Sequence, residues 1–521
     1  MSAAAPSAGA APAAGATPAP LAGSAKAITA VALALGTFMQ VLDTTIANVS
    51  IPTIAGDLGV SASQGTWVVT SFAVANGVSV PLTGWLMQRY GVVKTFVGSV
   101  LLFTAASFLC GISWNLGSLI VFRVLQGAVS GPMIPGSQAL LLSIFPPQRR
   151  GAALGLWSMT TLVAPVCGPL LGGYISDNWS WPWIFFINVP IGIVCGALSW
   201  RGLASRETPT RRAPVDIMGL SLLVAWVGAL QVMLDTGKDA DWFNSLGIVA
   251  LACLAVVGFL AWLIWETTQK DPIVDLTLFR SRNFAIGTLA YSLSYAIFFG
   301  NNLLLPLWLQ TQVGYIATWA GLVAAPSGMV ALICTPLVTR IMGRVDTRLA
   351  ASVAIVAFAI SYFMRARYTP DANFWAYVMP MLVQGFSMSV FFVALITITL
   401  AEIPAQRTPA AAGLSNFSRY TAGSFAASIT TTVWDNRETL HQSRLAENAP
   451  LPTMGAAMEQ MRHFGMSGGQ ALASITNTVV RQAYAMASID FFWISGWLML
   501  LLMPLIWFAR RPSAPAAAAE D

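Results

Sequence analysis

The chain has 521 residues, of which 56% are hydrophobic and 9% charged. Its 27 Lys and Arg and 21 Asp and Glu cannot cover the surface that a soluble body of this size presents to water, so a soluble enzyme is excluded. The formal net charge of +6 would suggest nucleic acid as a partner of a soluble protein, but the basic residues sit between apolar runs, where they set membrane topology, and no nucleic acid is expected.

The apolar runs are about twenty residues long, the length of a helix crossing a ~30 Å hydrocarbon layer, and not the ten-residue alternating segments of a barrel. They predict an all-α integral membrane protein. In chain order, residues 1–27 form an Ala/Pro/Gly-rich tract around a single Lys26, read as a disordered cytosolic tail. Fourteen spans follow, at 28–50, 65–86, 95–113, 118–142, 151–173, 183–200, 216–235, 246–266, 284–309, 317–339, 349–367, 376–400, 409–433 and 490–509. The first holds an Asp and no cleavage site follows it, so it reads as a retained span and not a signal peptide. Residues 510–521 form a second cytosolic tail.

With both ends cytosolic, the inner loops collect most of the basic residues, from Lys26, Arg89 and Lys94 through Arg340, Arg344 and Arg348 to Arg510 and Arg511. The short outer loops keep only Lys238, Arg365 and Arg367, a positive-inside bias that supports the span count. One outer segment, 435–489, is long, polar and helix-permissive, and holds both histidines, His441 and His463.

An internal repeat divides the chain. Pro81, Leu82, Met87 and Arg89 recur as Pro336, Leu337, Met342 and Arg344, a shift of 255 residues, and Gln126-Gly127 recurs as Gln384-Gly385, a shift of 258. The expected organisation is an N-terminal six-helix half (28–200), two linker helices (201–283) and a C-terminal six-helix half (284–509). Such repeats place a site near the midplane between the halves.

Asp43 lies some fifteen residues into span 1, about 22 Å deep at 1.5 Å per residue. An intramembrane carboxylate is expensive unless it faces a cavity or a partner. Thr44, Thr45 or Asn48 could satisfy it locally; the other reading is a site of proton exchange, because burial disfavours the charged form. Arg123 on span 4 sits at a similar depth, which permits a carboxylate–guanidinium pair; snorkelling to the outer interface is the alternative. At the repeat position of Arg123 the chain has Met381, so coupling is expected in the N-terminal half alone.

Gly168, Pro169, Gly172 and Gly173 gather small residues and a helix breaker on span 5, where they permit close helix approach. The inner loop from Gly84 to Lys94 has a tight turn at Gly91 and basic flanks at Arg89 and Lys94. Arg419 lies near the middle of span 13, in a half whose spans contain no interior acid. It suits an anionic or weakly acidic substrate, though bonding to backbone carbonyls or a span drawn a turn too far would also account for it. Tyr291, Tyr295, Phe298 and Asn302 recur at helical spacing on span 9, a pattern that suits amphipathic ligands and equally suits packing. Gln384 and Phe391 on span 12 are further candidates of that kind, as are Thr44 and Asn48 on span 1.

The five cysteines lie inside apolar runs without metal-ligand spacing and read as core residues. No acid, base and metal-ligand constellation for an enzyme forms, and Gly237-Lys238 is followed by Asp239, so no phosphate-cradling loop is present. Energy is therefore expected from an ion gradient, with no cofactor. A proton-linked transporter of a single metabolite and a ligand-binding sensor are the rival readings.

Four stretches carry a family resemblance: L-D-T-T-I-A-N-V-S-I-P (Leu42 to Pro52), G-W-L-M-Q-R-Y-G-V-V-K (Gly84 to Lys94), R-V-L-Q-G (Arg123 to Gly127) and A-P-V-C-G-P-L-L-G-G (Ala164 to Gly173). With them, residues 28 to 510 resemble the major facilitator superfamily, specifically its fourteen-span drug:proton antiporters of the EmrB type. The resemblance implies a proton-coupling role for Asp43 and Arg123. It implies coupling or gating roles for Gly84, Arg89, Gly91, Lys94, Gln126, Gly127, Pro165, Gly168, Pro169, Gly172 and Gly173. It further implies export of hydrophobic, amphipathic or weakly acidic drugs across a bacterial inner membrane, together with a periplasmic membrane-fusion adaptor and an outer-membrane channel. Where the family pattern has an acidic residue, this chain has Gln88.

Overall fold

A computed structural model describes residues 23–60, 62–146, 149–210, 216–270, 272–342, 344–448 and 451–511. The predicted tails at residues 1–22 and 512–521 lie outside the described residues. Helices are the only regular elements among those described, as expected where hydrocarbon offers the backbone no hydrogen-bond partner. We number them α1 (Gly23–Asp57), α2 (Trp67–Ser79, resumed as Thr83–Tyr90), α3 (Val92–Gly111), α4 (Leu116–Ser130, resumed as Met133–Ile144), α5 (Arg150–Asn178), α6 (Asn188–Leu203), α7 (Ile217–Thr236) and α8 (Leu246–Thr268). There follow α9 (Arg282–Trp308), α10 (Ala317–Met342), α11 (Thr347–Arg365), α12 (Phe374–Leu400), α13 (Thr408–Asn448), α14 (Leu451–His463) and α15 (Gly468–Leu501).

Eleven of the described helical stretches are long and apolar enough to cross a membrane. The other three predicted spans are helical as well. Span 2 is α2, interrupted around Pro81, whose ring removes a helical N–H donor; span 5 is α5; span 13 is the first part of the 41-residue α13. Local signals set the ends. Asn115 and Ser118 form a reciprocal capping box at the start of α4, and the side chains of Ser281, Asp346 and Asn373 cap α9, α11 and α12.

Helices run past some of the span limits, and one residue counted with the outer loops is buried. α1 begins at Gly23, inside the stretch assigned to the tail, and Lys26 lies over the Phe145 ring at 5.3 Å. The helix-permissive outer segment 435–489 is, over its described residues, a continuation of α13, then α14, then the first turns of α15. Arg365, counted with the outer loops, is 0% exposed at the end of α11.

The repeat is a repeat of contacts. A side chain added at Gly127 would place its Cβ 2.5 Å from the Phe72 carbonyl oxygen and 2.9 Å from the Ala75 Cβ of α2. One added at Gly385 would meet Ser327 and Val330 of α10, the positions 255 residues beyond Phe72 and Ala75. The first and second copies of the repeat touch near the end at which α1 begins. Gly84 abuts Ala410, Gly413 abuts Val80 and Thr83, and Gly155 abuts Thr335 and Thr339. Asn416 donates to the Gln138 side chain at 3.1 Å across the same junction. α7 packs on α2 through Val227 and Gly77, and Trp226 meets Phe417 of α13 at 5.8 Å.

Gly127→Ala and Gly385→Ala should each lower the thermal unfolding midpoint of the detergent-solubilised protein, by a loss of about 1–3 kcal/mol from overpacking. Gly173→Ala, where an added Cβ meets nothing within 4 Å, should leave the midpoint unchanged or raised.

Candidate functional site

Asp43 is 1% exposed on α1, and donors from two helices converge on its carboxylate. Arg123 Nη1 of α4 donates to Oδ2 at 2.6 Å, with neither side chain exposed. Gln126 Nε2, one turn further along α4, donates to Oδ1 at 3.1 Å. Asn188 Nδ2 of α6 donates to the same oxygen at 2.8 Å. The sequence analysis missed Asn188; its one signal is an amide two residues before Pro190 at the start of an apolar run.

A further layer holds these donors. Arg123 Nε donates to the Val68 carbonyl at 2.9 Å and Nη1 also donates to Gln126 Oε1 at 2.7 Å. The guanidinium lies over the Phe72 ring at 4.3 Å and near Phe185 at 5.5 Å, a desolvated cation–π setting. Asn188 Nδ2 also approaches Ser107 Oγ at 3.0 Å, and Ser107 Oγ donates to the Phe185 carbonyl at 2.9 Å. Charge-assisted bonds of this length are the strong ones. Removing one partner leaves a buried ion uncompensated, at about 3–5 kcal/mol.

The local alternatives for Asp43 are not used. Thr44 and Thr45 hydroxyls donate to their own helix, to the Val41 carbonyl at 2.7 and 3.1 Å, and Asn48 is exposed. Close packing from α5 stands beside the pair. A Cβ on Gly168 would fall 2.6 Å from the Thr45 Cβ, and one on Gly172 would fall 3.1 Å from Ile46. Gly173 faces open space and Pro165 is exposed, whereas Gly168 and Gly172 meet α1 directly. Pro169 is helical; its side chain lies outside the described residues.

Gly91 has φ +95°, a conformation that favours glycine, and opens α3. The backbone N–H groups of Val93 and Lys94 donate to Glu207 at 3.0 and 2.8 Å, and that of Val92 donates to Thr208 Oγ1 at 3.2 Å. Glu207 thus brings a carboxylate to the helix N-terminus, while Gln88 is exposed. Arg89 lies near Trp85 and Tyr90 at 5.3 and 5.7 Å, and the Lys94 side chain is exposed.

In the second copy, Arg419 is 3% exposed and sits over the rings of Tyr420, Tyr295 and Tyr291 at 4.5, 4.7 and 5.6 Å. Its Nη2 donates to Asn416 Oδ1 at 2.9 Å, and its Nε has no partner. Tyr291 and Asn416 line a small cleft with Gln138, Thr399 and Ser415 at the junction of the two copies. Phe298 and Phe391 pack with Phe358 and Phe392 in the core, so of the aromatic face on α9 only Tyr295 is half-open. Asn302 is half-buried and accepts from Gln384 Nε2 at 3.1 Å. Among the described residues, no group of three or more His, Cys, Asp or Glu could hold a metal ion.

Residues 33–427 match the family model described as Major Facilitator Superfamily. The chain is 49% identical over 496 residues to "Multidrug export protein EmrB" of Escherichia coli (strain K12), covering 95% of this chain and 97% of that one. It is 46% identical to "Fatty acid resistance protein FarB" of Neisseria gonorrhoeae, covering 95% and 98%. The solved structure of the proton:xylose symporter XylE aligns with a TM-score of 0.60 at 14% identity, covering 93% of this chain and 95% of that one. An all-helical fold with repeated contacts, a buried ion pair at the depth of α1 and α4, and a matching family model lead to one assignment: the chain is a multi-pass membrane protein that belongs to the major facilitator superfamily.

Proposed function

We propose that this protein is a proton-coupled antiporter that exports hydrophobic, amphipathic or weakly acidic toxic compounds. It works in a bacterial inner membrane with fourteen spans in a six-plus-two-plus-six arrangement and both termini cytosolic. The observation that carries the reading is the fully buried Arg123–Asp43 pair, bound to Gln126 and Asn188. A carboxylate held in this way stores charge that one proton can cancel. Protonation of Asp43 would end the ion pair, release Arg123 and change the relative energies of the two access states. Transport requires only that proton and substrate differ in affinity for those states.

The near-complete coverage of proteins named for multidrug export and fatty acid resistance supports the direction and substrate class. Arg419, Tyr295 and Asn302, with Thr44 and Asn48, are assigned to substrate contact. The long α13 and α15 with α14 between them are assigned to docking a periplasmic adaptor, which in turn would meet an outer-membrane channel.

In inverted vesicles, Asp43→Asn should reduce proton-gradient-driven uptake of a fluorescent amphiphile to background while binding persists; equal transport by variant and natural chain would overturn the assignment. Gly168→Leu should lower coupled transport by forcing α5 away from Thr45, measured as drug-dependent proton flux. Deleting residues 449–467 should abolish co-purification of the adaptor and spare transport in vesicles; an adaptor that still co-purifies would place its docking surface elsewhere.

A further inference from the structure

In the first copy of the repeat, a glutamine amide links a guanidinium to an acceptor. Gln126 Oε1 accepts from Arg123 and its Nε2 donates to Asp43. The second copy holds the same chain of three groups built from different residues. Gln384 Oε1 accepts from Arg365 Nη2, and Gln384 Nε2 donates to Asn302 Oδ1.

The two chains differ in charge. The second arginine comes from α11, at the position 255 residues beyond Cys110 of α3, while Met381 occupies the place of Arg123. The acceptor is a neutral amide where the first copy has a carboxylate. The first chain is therefore neutral overall, and the second carries a full positive charge.

Among the described residues, no anionic group cancels it. Arg365 is 0% exposed, and its Nε and Nη1 have no hydrogen-bond partner. Its neighbours include the Met381 sulfur at 3.6 Å, the rings of Tyr362 and Phe492 at 5.3 and 5.9 Å, and Tyr368. A charge buried without a counter-ion projects its field strongly through low-dielectric surroundings. Asn302, whose Nδ2 donates to the Phe298 carbonyl at 2.8 Å, is the one half-buried member of the chain, so it is the member that a ligand could touch.

We propose that Arg365 is a specificity-determining positioning residue, which makes the Gln384–Asn302 wall an anion-selecting subsite for the acid group of an amphipathic carboxylate. Arg365 fixes the orientation of the Gln384 amide and supplies the positive potential, while the substrate itself meets Asn302. The proposal rests on the export reading above, and the test separates the two.

The full-length protein is reconstituted, and gradient-driven transport of dodecanoate and of tetraphenylphosphonium is measured, alongside dodecanoate binding to the purified chain. Arg365→Gln should raise the KM for dodecanoate about tenfold and leave that for tetraphenylphosphonium unchanged. Arg365→Lys, which keeps the charge, should restore much of the difference. Asn302→Asp, which places a carboxylate beside Gln384 as in the first copy, should reproduce the loss with Arg365 intact. Equal effects of Arg365→Gln on both compounds without rescue by Lys, or no effect on either, would overturn the subsite. If dodecanoate binding depends on Arg365 and neither compound is transported, the subsite stands and the export reading falls. If tetraphenylphosphonium alone is transported and dodecanoate does not bind, the reverse holds.

Discussion

Hydrocarbon cannot solvate an ion, so each charged side chain that the bundle holds away from water must find its compensation inside the protein. Asp43 finds it in Arg123, Gln126 and Asn188, and Arg123 in turn uses the Val68 carbonyl and two aromatic faces. These bonds tie α1, α2, α4 and α6 to one point, with Ser107 of α3 joined through Asn188. Rearranging any of these helices alone would break charge-assisted bonds in a dry interior. The network therefore couples these helices, and in the proposed cycle the first copy would move as a unit when Asp43 takes up a proton.

The same constraint is met differently in the second copy. Arg419 is covered by tyrosine rings and one amide, and Arg365 by one amide, a thioether and two rings, with no carboxylate paired to either among the described residues. Compensation through π faces and amides disperses a positive charge without cancelling it. A chain of two related halves has thus placed a neutral, protonatable centre in one and uncancelled positive charge in the other. In the proposed transport cycle, proton handling and anion preference would fall on different halves.

Small residues decide where these bodies meet. Gly84 against Ala410, Gly155 against α10 and Gly413 against α2 allow backbones to approach at the end where α1 begins, as packing in lipid requires when no hydrophobic force draws helices together. Gly168 and Gly172 bring α5 against α1 within a turn of Asp43. A motif that reads in sequence as a small helical face is, in the folded chain, a wall packed beside the Asp43–Arg123 pair. Glu207 plays a comparable long-range part by supplying, from beyond α6, a carboxylate to the turn at Gly91.

Composition alone determines that this chain lives in lipid, and the length of its apolar runs determines that it does so as helices, because backbone groups in hydrocarbon must pair within their own segment. The internal repeat and the depth match of Asp43 with Arg123 are equally legible, since helix rise converts residue number into depth. What number cannot supply is rotation and partnership across the bundle. Asn188 is an ordinary amide until α6 packs beside α1. Phe298 and Phe391 look like a ligand face until the neighbouring helices cover them. Arg365 looks like a loop cation until α11 turns it inward to Gln384. Tertiary structure alone decides these, because a membrane helix is apolar on nearly every side and its hydrophobicity does not record which side faces protein.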